Sequence, residues 1–404
     1  MNLKILNSAL ANELFRGFYI ERWNDRVRSM TLSEMDKHSH KLIVAYCIGK
    51  YEEMQGNKIN WNLIFEDSIL ELLRRIVISD IKSPIYQEIK KDKDVFYKLN
   101  EFVFSKYENI IQSDNFRKKF HSFLFDEKQR NTLDYQVVDA AHIYASFWEY
   151  QLVKCVNPFQ HQNTKIELEI RHRLDQYTNM KGIDNLVNNH SITNFVDLCG
   201  QLRFQLRWAQ TPRVPKTSVL GHIMLVTALT YLISLDLNCC EKRLYNNFFG
   251  ALFHDLPEAV TRDIISPVKR SSEKLDILIT QLEKKLAEKE IFPYVEEEWI
   301  EELKYFTQDE FYNKIKNENN EIKKVSSKEV SEKYNQDIFC PFDGEVIRFA
   351  DQFSAYLEAK ESIEAGIKSK ELVDACETIK SNYANKLICD LNFNELFDHS
   401  TTVG

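Results

Sequence analysis

Apolar and polar residues follow one another along most of this chain at the spacing of amphipathic helices. Leu, Ile, Glu and Lys dominate the pattern, and only 10 Gly and 8 Pro interrupt the 404 residues. The long apolar run at 223–235 has the length of a buried helix, and residues 344–356 place an acid among apolar and small residues at helical spacing. The pattern therefore predicts an all-α protein in which strands are scarce.

Short sequence similarities divide the chain into two halves. Residues 79–85 align with 262–268 at an offset of 183 positions, and an Arg-Trp pair at 22–23 recurs 185 positions later at 207–208. Two helical bundles related by internal duplication are the economical explanation, because the two offsets are nearly the same. Chance similarity of short apolar patterns is the alternative.

The second half carries four potential metal ligands in the order His, His-Asp, Asp. His222 begins the apolar run, His254 and Asp255 are adjacent, and Asp351 lies among apolar residues, where an unpaired carboxylate is costly to bury. Imidazole and carboxylate groups together bind divalent ions without sharp selectivity. The pair His254-Asp255 taken alone could instead be a core histidine beside a helix cap.

Further polar residues surround these four in the sequence. A glutamate within hydrogen-bond reach of the attacking water can accept its proton, and cations can offset the charge of a phosphoryl transition state. Each candidate could also be an ordinary surface or core residue. The candidates are Glu258, Asp263, Arg207, Trp208, Arg213 and Lys269.

The order of these residues resembles the HD-domain phosphohydrolases, most closely the branch that includes bacterial 5'-deoxynucleotidases. The resemblance covers roughly residues 200–370. In that branch a Glu follows the His-Asp pair, and an Asp-x-x-(Ser/Thr)-Pro-Val-Lys segment comes next, which residues 263–269 reproduce. Gly221 is a departure, because the family often carries a Glu at that position.

The resemblance implies a role for each residue. His222, His254, Asp255 and Asp351 would hold the metal, and Glu258 would orient or deprotonate the attacking water. Asp263 would lie beside the nucleotide, which Arg207 and Trp208 would help to hold. Arg213 and Lys269 are then natural partners for the phosphate.

The expected function is a metal-dependent phosphohydrolase that hydrolyses a nucleotide phosphomonoester, as a 5'-nucleotidase does, by attack of metal-bound hydroxide. One divalent ion is expected, with Mn²⁺, Co²⁺ or Mg²⁺ as the candidates. A cyclic-nucleotide phosphodiesterase and a nucleoside-triphosphate hydrolase are alternatives with comparable ligands. A non-catalytic nucleotide-sensing scaffold is an alternative from another class.

The first half does not repeat the ligands of the second. At the offset of 183, Glu71, Leu72 and Arg75 stand where the second half has His254, Asp255 and Glu258. His40 and the apolar residues that follow it resemble His222 and its helix. The first half is therefore predicted to be a degenerate copy without a metal. It could pack against the second half, complete the substrate pocket, or bind a regulatory nucleotide through Arg22, Trp23 and Asp80.

The predicted organisation is a degenerate HD-like helical domain at 1–154, a helical connector at 155–200 and a catalytic HD domain at 201–404. The catalytic domain contains a polar insertion near 310–340 whose composition is typical of a mobile surface segment. We expect a small-molecule nucleotide as the partner and consider a homo-oligomer possible.

The net charge, the cysteine spacing and the apolar runs indicate which binding partners and which cellular location to expect. The chain has 53 basic and 61 acidic residues, a net charge of -8, which argues against general binding to nucleic acid or to an anionic membrane. Its eight cysteines show no Cys-x-x-Cys spacing, and its apolar runs suggest neither a leader nor a membrane span. We therefore expect a cytoplasmic protein.

Overall fold

The all-α prediction is confirmed by the computed structural model, which describes residues 2–126, 132–262, 264, 272–384 and 386–397. The α-helices in these ranges are α1 (Ser8–Phe15), α2 (Glu34–Met54), α3 (Trp61–Ile78), α4 (Ser83–Lys91), α5 (Lys93–Tyr107), α6 (Asp114–Phe125), α7 (Leu133–Val156), α8 (Asn163–Asp175), α9 (Lys181–Asn188), α10 (His190–Gln201), α11 (Val219–Asp236), α12 (Glu241–Phe253), α13 (Glu258–Thr261), α14 (Glu273–Glu290), α15 (Glu297–Thr307), α16 (Ser327–Glu332), α17 (Gly344–Glu364) and α18 (Lys370–Tyr383). Three short antiparallel pairs join strands β1 (Glu21–Arg22) to β2 (Leu32–Ser33), β3 (Lys314–Lys316) to β4 (Ile322–Lys324), and β5 (Leu387–Ile388) to β6 (Leu391–Asn392).

Helix α11 lies at the centre of the molecule. It is apolar on all of its faces because α2 of the first half packs on it from one side, while α12 and α17 of the second half pack on it from the others. By length and composition alone α11 could cross a membrane, which corrects the expectation that no apolar run is long enough. However, 89% of this apolar segment is buried inside the protein, as in the core helix of a globular fold.

The segment between the two halves is helical. Residues 155–200 contain α8, α9 and α10, and α9 packs so closely on α2 that a Cβ on Gly182 would lie 2.5 Å from the Cα of Ile48. This connector is thus part of the packed structure. The exact domain boundaries stay predictions.

The polar segment near 310–340 is folded, in contrast to the mobile insertion that its composition suggested. It contains the β3–β4 hairpin and α16. Lys314 and Phe342 exchange two backbone hydrogen bonds, of 3.1 and 2.9 Å, which attach the hairpin to the chain just before α17. This hydrophilic segment is folded because backbone hydrogen bonds with the residues before α17 hold it in place.

The segments that lead into α2 and α11 have the same local backbone geometry. Glu21 pairs with Ser33 before α2, and Leu206 pairs with Ser218 before α11, 185 positions later in each case. The tryptophan two positions after the first member of each pair has the same left-handed φ of 56°. These matches support internal duplication, which stays a prediction.

The structure aligns Lys37, and not His40, with His222. Ser33 caps α2 and Ser218 caps α11. Lys37 and His222 are each the fourth residue of the helix that follows. The imidazole of His40 lies elsewhere, because its Nε2 is 3.0 Å from a carbonyl of α10.

Candidate metal centre

His222 reaches the site from the first turn of α11. Its side chain is fully buried, and its Nδ1 lies 3.0 Å from the Ser354 hydroxyl. Its Nε2 lies 3.0 Å from Oδ1 of Asp351, which is contributed by α17. The imidazole is therefore held through one nitrogen and presents the other to the site, the usual arrangement for a metal-binding histidine.

His254 and Asp255 follow directly after the end of α12. The Nδ1 of His254 lies 2.7 Å from the carbonyl of Ala251, and only a protonated nitrogen can donate to that oxygen. In the neutral ring, Nε2 is then the acceptor, and it lies 3.2 Å from Oδ2 of Asp255. Nε2 is buried and has no hydrogen-bond partner among the described residues, so it is suited to bind an ion.

These side chains converge from three separate parts of the chain. Ligand atoms of His222, His254 and Asp255 all lie within 4.8 Å of one another, and Asp351 joins the cluster through His222. Two imidazoles and two carboxylates form a donor set suited to a divalent ion. The structure thus brings all four predicted ligands together in a possible His-His-Asp site with a second carboxylate beside it.

The electrostatics of the cluster also favour a cation. Burial lowers the pKa of His254, but Asp255 and, to a smaller extent, Asp351 outweigh burial and raise it to about 9. Burial raises the pKa of Asp255, but His254 and His222 more than offset this effect and lower it. A proton on His254 therefore occupies the position of positive charge that a bound ion would take over.

Sequence reasoning missed Glu358, which is fully buried behind the cluster. Its carboxylate accepts hydrogen bonds from Arg207 Nε at 3.2 Å, Trp208 Nε1 at 2.7 Å and Thr217 Oγ1 at 3.0 Å. It also lies 3.7 Å from Nδ1 of His222. Glu358 follows Asp351 by two helical turns on α17, and this spacing was the signal that could have identified it.

The predicted substrate-binding cations lie next to this carboxylate. Arg207 is close enough to Asp255 and Asp351 to lower the pKa of both carboxyl groups. Arg213 is buried, lies 5.8 Å from the centre of the Trp208 ring and donates through Nη2 to a threonine hydroxyl. Within the described part of the chain, the Nε and Nη1 groups of Arg213 have no acceptor.

The predicted acid–base residues are only partly described. Glu258 is buried one turn after the His-Asp pair, and its backbone nitrogen donates to the carbonyl of Asp255 at 3.0 Å. Asp263 and Lys269 lie outside the described residues. A further acid, Glu310, lies near the pair, and burial raises its pKa. Its position in a polar segment gave no sequence signal.

The departure at Gly221 has a packing reason. A Cβ at this position would meet a ring carbon of Phe18 at 2.7 Å and Oδ1 of Asp36 at 3.3 Å. Both residues belong to the first half of the chain, which presses against the start of α11. A glutamate there would displace this contact.

The fold and the donor set together define a metal centre in an all-α protein, and comparison with known proteins gives its class. Residues 199–380 are similar to the HD domain family. HD domains bind divalent metals, in agreement with the cluster.

One curated relative is similar over a short stretch. The dATP triphosphohydrolase of Acinetobacter phage SH-Ab 15497 is 38% identical over 74 residues, which cover 16% of this chain. The matched region spans 36% of the length of that relative. No solved structure matches the chain.

Proposed function

We propose that this protein is a metal-dependent phosphohydrolase that hydrolyses a nucleotide phosphomonoester, as a 5'-nucleotidase does. The observation that carries the proposal is the convergence of His222, His254, Asp255 and Asp351, with the buried Arg213 nearby, whose Nε and Nη1 have no acceptor among the described residues. The HD-domain match over the same region supports it.

A divalent ion held by these four side chains would activate water and neutralise a phosphoryl oxygen. The protein residues supply binding and proton transfer. Arg213 would donate to the phosphate the N–H groups that have no acceptor in the described ranges, since a buried donor without an acceptor is costly. Arg207 is kept in place by Glu358 and adds positive charge next to Asp255. Glu258 is the proposed group that accepts the proton of the attacking water.

Hydrolysis of a nucleoside triphosphate is the second candidate, because the relative is a dATP triphosphohydrolase by its name. The two activities differ in the nucleotide that they hydrolyse. A monoesterase releases inorganic phosphate from a nucleoside monophosphate, whereas a triphosphohydrolase acts on the triphosphate. Cyclic-nucleotide hydrolysis would be identified by a cyclic substrate in the same panel.

The first prediction concerns metal dependence and the role of Glu258. The metal-free protein should be inactive, and Mn²⁺, Co²⁺ or Mg²⁺ should restore release of phosphate from a panel of nucleotides analysed by chromatography. The variant Glu258→Gln should keep its metal but lose about 10²–10⁴-fold in kcat, because the general base is gone. Glu377→Gln on the exposed face of α18 is the matched control.

Two results would contradict this proposal. Folded, metal-loaded protein that hydrolyses none of the nucleotides would favour a nucleotide-sensing scaffold. Unchanged turnover in Glu258→Gln would remove this residue as the base. A cytoplasmic location and assembly into a homo-oligomer stay separate predictions from the sequence.

A further inference from the structure

The first half of the chain contains a cavity of about 740 Å³. Side chains of α2, α3, α4, α6, α7 and α8 line it, together with Arg22, Trp23 and Asp80, which were singled out from the sequence. Ten lysines and arginines face this space against eight acidic residues, although the whole chain has a net charge of -8. The cavity is therefore locally basic in an acidic protein.

Two buried lysines of α2 lie at the wall of this cavity. Lys37 and Lys41 are one helical turn apart, line the cavity and are at most 1% exposed. The Nζ of Lys37 lies 2.8 Å from Nδ1 of His142. The Nζ of Lys41 has no hydrogen-bond partner within the described ranges.

Two of the nearby carboxylates are paired with arginines. Glu34 lies 2.8 Å from Nη1 of Arg22, and Glu71 pairs with Arg74. Across the part of the chain that the structure describes, neither Lys37 nor Lys41 forms an ion pair with a carboxylate. Both amino groups are thus buried at the cavity wall without a direct ion pair, although carboxylates such as Glu34 act on them from further away.

Burying an ammonium group without a counter-charge is unfavourable. Burial lowers the pKa of Lys41 to about 8, and that of Lys37 falls well below its ordinary value because of burial and the neighbouring Arg22. A bound anion would offset this cost. One carboxylate group would neutralise a single lysine, whereas a phosphate monoester dianion carries enough charge for both.

The remainder of the cavity suits an apolar, planar group. Tyr86 and Ile81 line it from the α4 side, Phe123 from α6, and Ile166 and Ile170 from α8. Small-molecule sites commonly have volumes of roughly 300–1,000 Å³ and combine apolar walls with a few polar groups. A charged end and an apolar body are the two parts of a nucleoside phosphate.

The first half has a different residue type at the helix position of His222. Lys37 occupies the helix position of His222 and contacts His142, as His222 contacts Asp351. A lysine ammonium thus stands where the other half has an imidazole for an ion. The described residues of the first half contain no cluster of three ligand groups like the one around His254.

We propose that the cavity of the first half is a metal-independent nucleotide-binding site, in which Lys37 and Lys41 hold the phosphate and the wall around Tyr86 and Ile170 holds the nucleoside. It is distinct from the metal centre and does not depend on hydrolysis there.

The test uses full-length Asp255→Asn protein in EDTA, so that the metal centre cannot be loaded. Calorimetric titration with dAMP and dATP should show binding, and inorganic phosphate should bind at least tenfold more weakly because the apolar wall is unused. Adding Lys41→Met should weaken nucleotide binding about tenfold or more, through loss of a charge-assisted contact. Lys58→Met, at an exposed position outside the cavity, is the matched control.

Thermal unfolding separates a binding role from a structural one. Replacing Lys41 removes a buried, unpaired charge, so Lys41→Met should have an equal or higher Tm while binding more weakly. Three results would overturn the proposal: no nucleotide binding to Asp255→Asn in EDTA, unchanged binding in Lys41→Met, or equal affinity for inorganic phosphate and dAMP. Failure of hydrolysis at the metal centre would leave each of these measurements intact.

Discussion

At the scale of single residues, Glu358 organises several groups behind the metal centre. It fixes Arg207 and Trp208 through hydrogen bonds and faces Nδ1 of His222. Burial raises the pKa of its carboxyl group, but Arg207, Arg213 and His222 outweigh burial and lower the pKa to about 2. Glu358 is therefore ionised throughout the pH range in which the protein is expected to work.

This depressed pKa gives a prediction for the stability of Glu358→Gln. A carboxyl group whose pKa falls from 4.5 to about 2 on folding contributes about 3 kcal/mol above pH 4.5, and this contribution is lost as the pH falls toward 2. The variant should thus be about 3 kcal/mol less stable at pH 7, and the difference should shrink at acidic pH. Urea unfolding of both proteins between pH 7 and the acid limit measures it.

Glu364→Gln is the control for this experiment, because Glu364 lies on the same helix and is exposed. It should leave the unfolding free energy nearly unchanged at every pH. A stability difference for Glu358→Gln that does not vary with pH would show that the lost contribution does not come from its ionised carboxylate.

The four candidate metal ligands were identified from the sequence, whereas Glu358 was missed. His254-Asp255 and its flanking residues form a local pattern, and Asp351 stood out as an acid in an apolar helix. In the sequence alone, a glutamate seven residues further along the same helix resembles an ordinary solvent-exposed charge. Only the folded structure shows that Arg207 and Trp208 reach it.

At the scale of secondary structure, a buried ion pair connects the two helices that carry His254 and Asp351. Asp343 precedes α17 and accepts hydrogen bonds from Arg243 of α12 at 2.7 and 2.8 Å. Asn247 of α12 donates to the same carboxylate at 2.7 Å and accepts from the backbone nitrogen of Asp343 at 2.8 Å. The end of α12 is thereby held against the start of α17.

Asp343→Asn should therefore weaken both stability and metal binding. The substitution leaves the Arg243 guanidinium buried without its counter-charge, a change that costs about 3–5 kcal/mol. Urea unfolding should show this loss, and calorimetry should show weaker metal binding because α12 and α17 are no longer held together. Asp374→Asn on an exposed face of α18 should change neither quantity. Wild-type metal affinity in Asp343→Asn would show that this ion pair does not position the ligands.

Sequence patterns predicted the helices better than the contacts between them. The apolar run at 223–235 correctly indicated a buried helix, now α11. Nothing in the linear pattern indicates that Arg243 and Asp343, 100 positions apart, form one ion pair. The polar hairpin near residue 314 was also misread, since its order depends on backbone pairing with a distant segment.

At the scale of the whole molecule, the two halves share one hydrophobic core. The ring of Tyr46 on α2 packs against Phe249 and Phe253 of α12 at 4.9 and 5.1 Å between ring centres. Phe65 of α3 stacks on Phe248 at 3.9 Å. These contacts bury aromatic side chains of α12 against the first half, so the region that matches the HD domain depends on the first half for its packing.

The HD domain alone should consequently fail to fold as a stable unit. A fragment of residues 199–404 would expose the apolar faces of α11 and α12 that α2 and α3 cover, and apolar surface of this extent favours aggregation. We expect the fragment to be insoluble, or to lack near-ultraviolet circular dichroism and cooperative unfolding, whereas the full chain should unfold in a single transition. Full-length Asp255→Asn, with the core intact but the metal centre disabled, is the control and should also unfold cooperatively. A soluble fragment that binds metal and melts cooperatively would show instead that the first half is an independent domain.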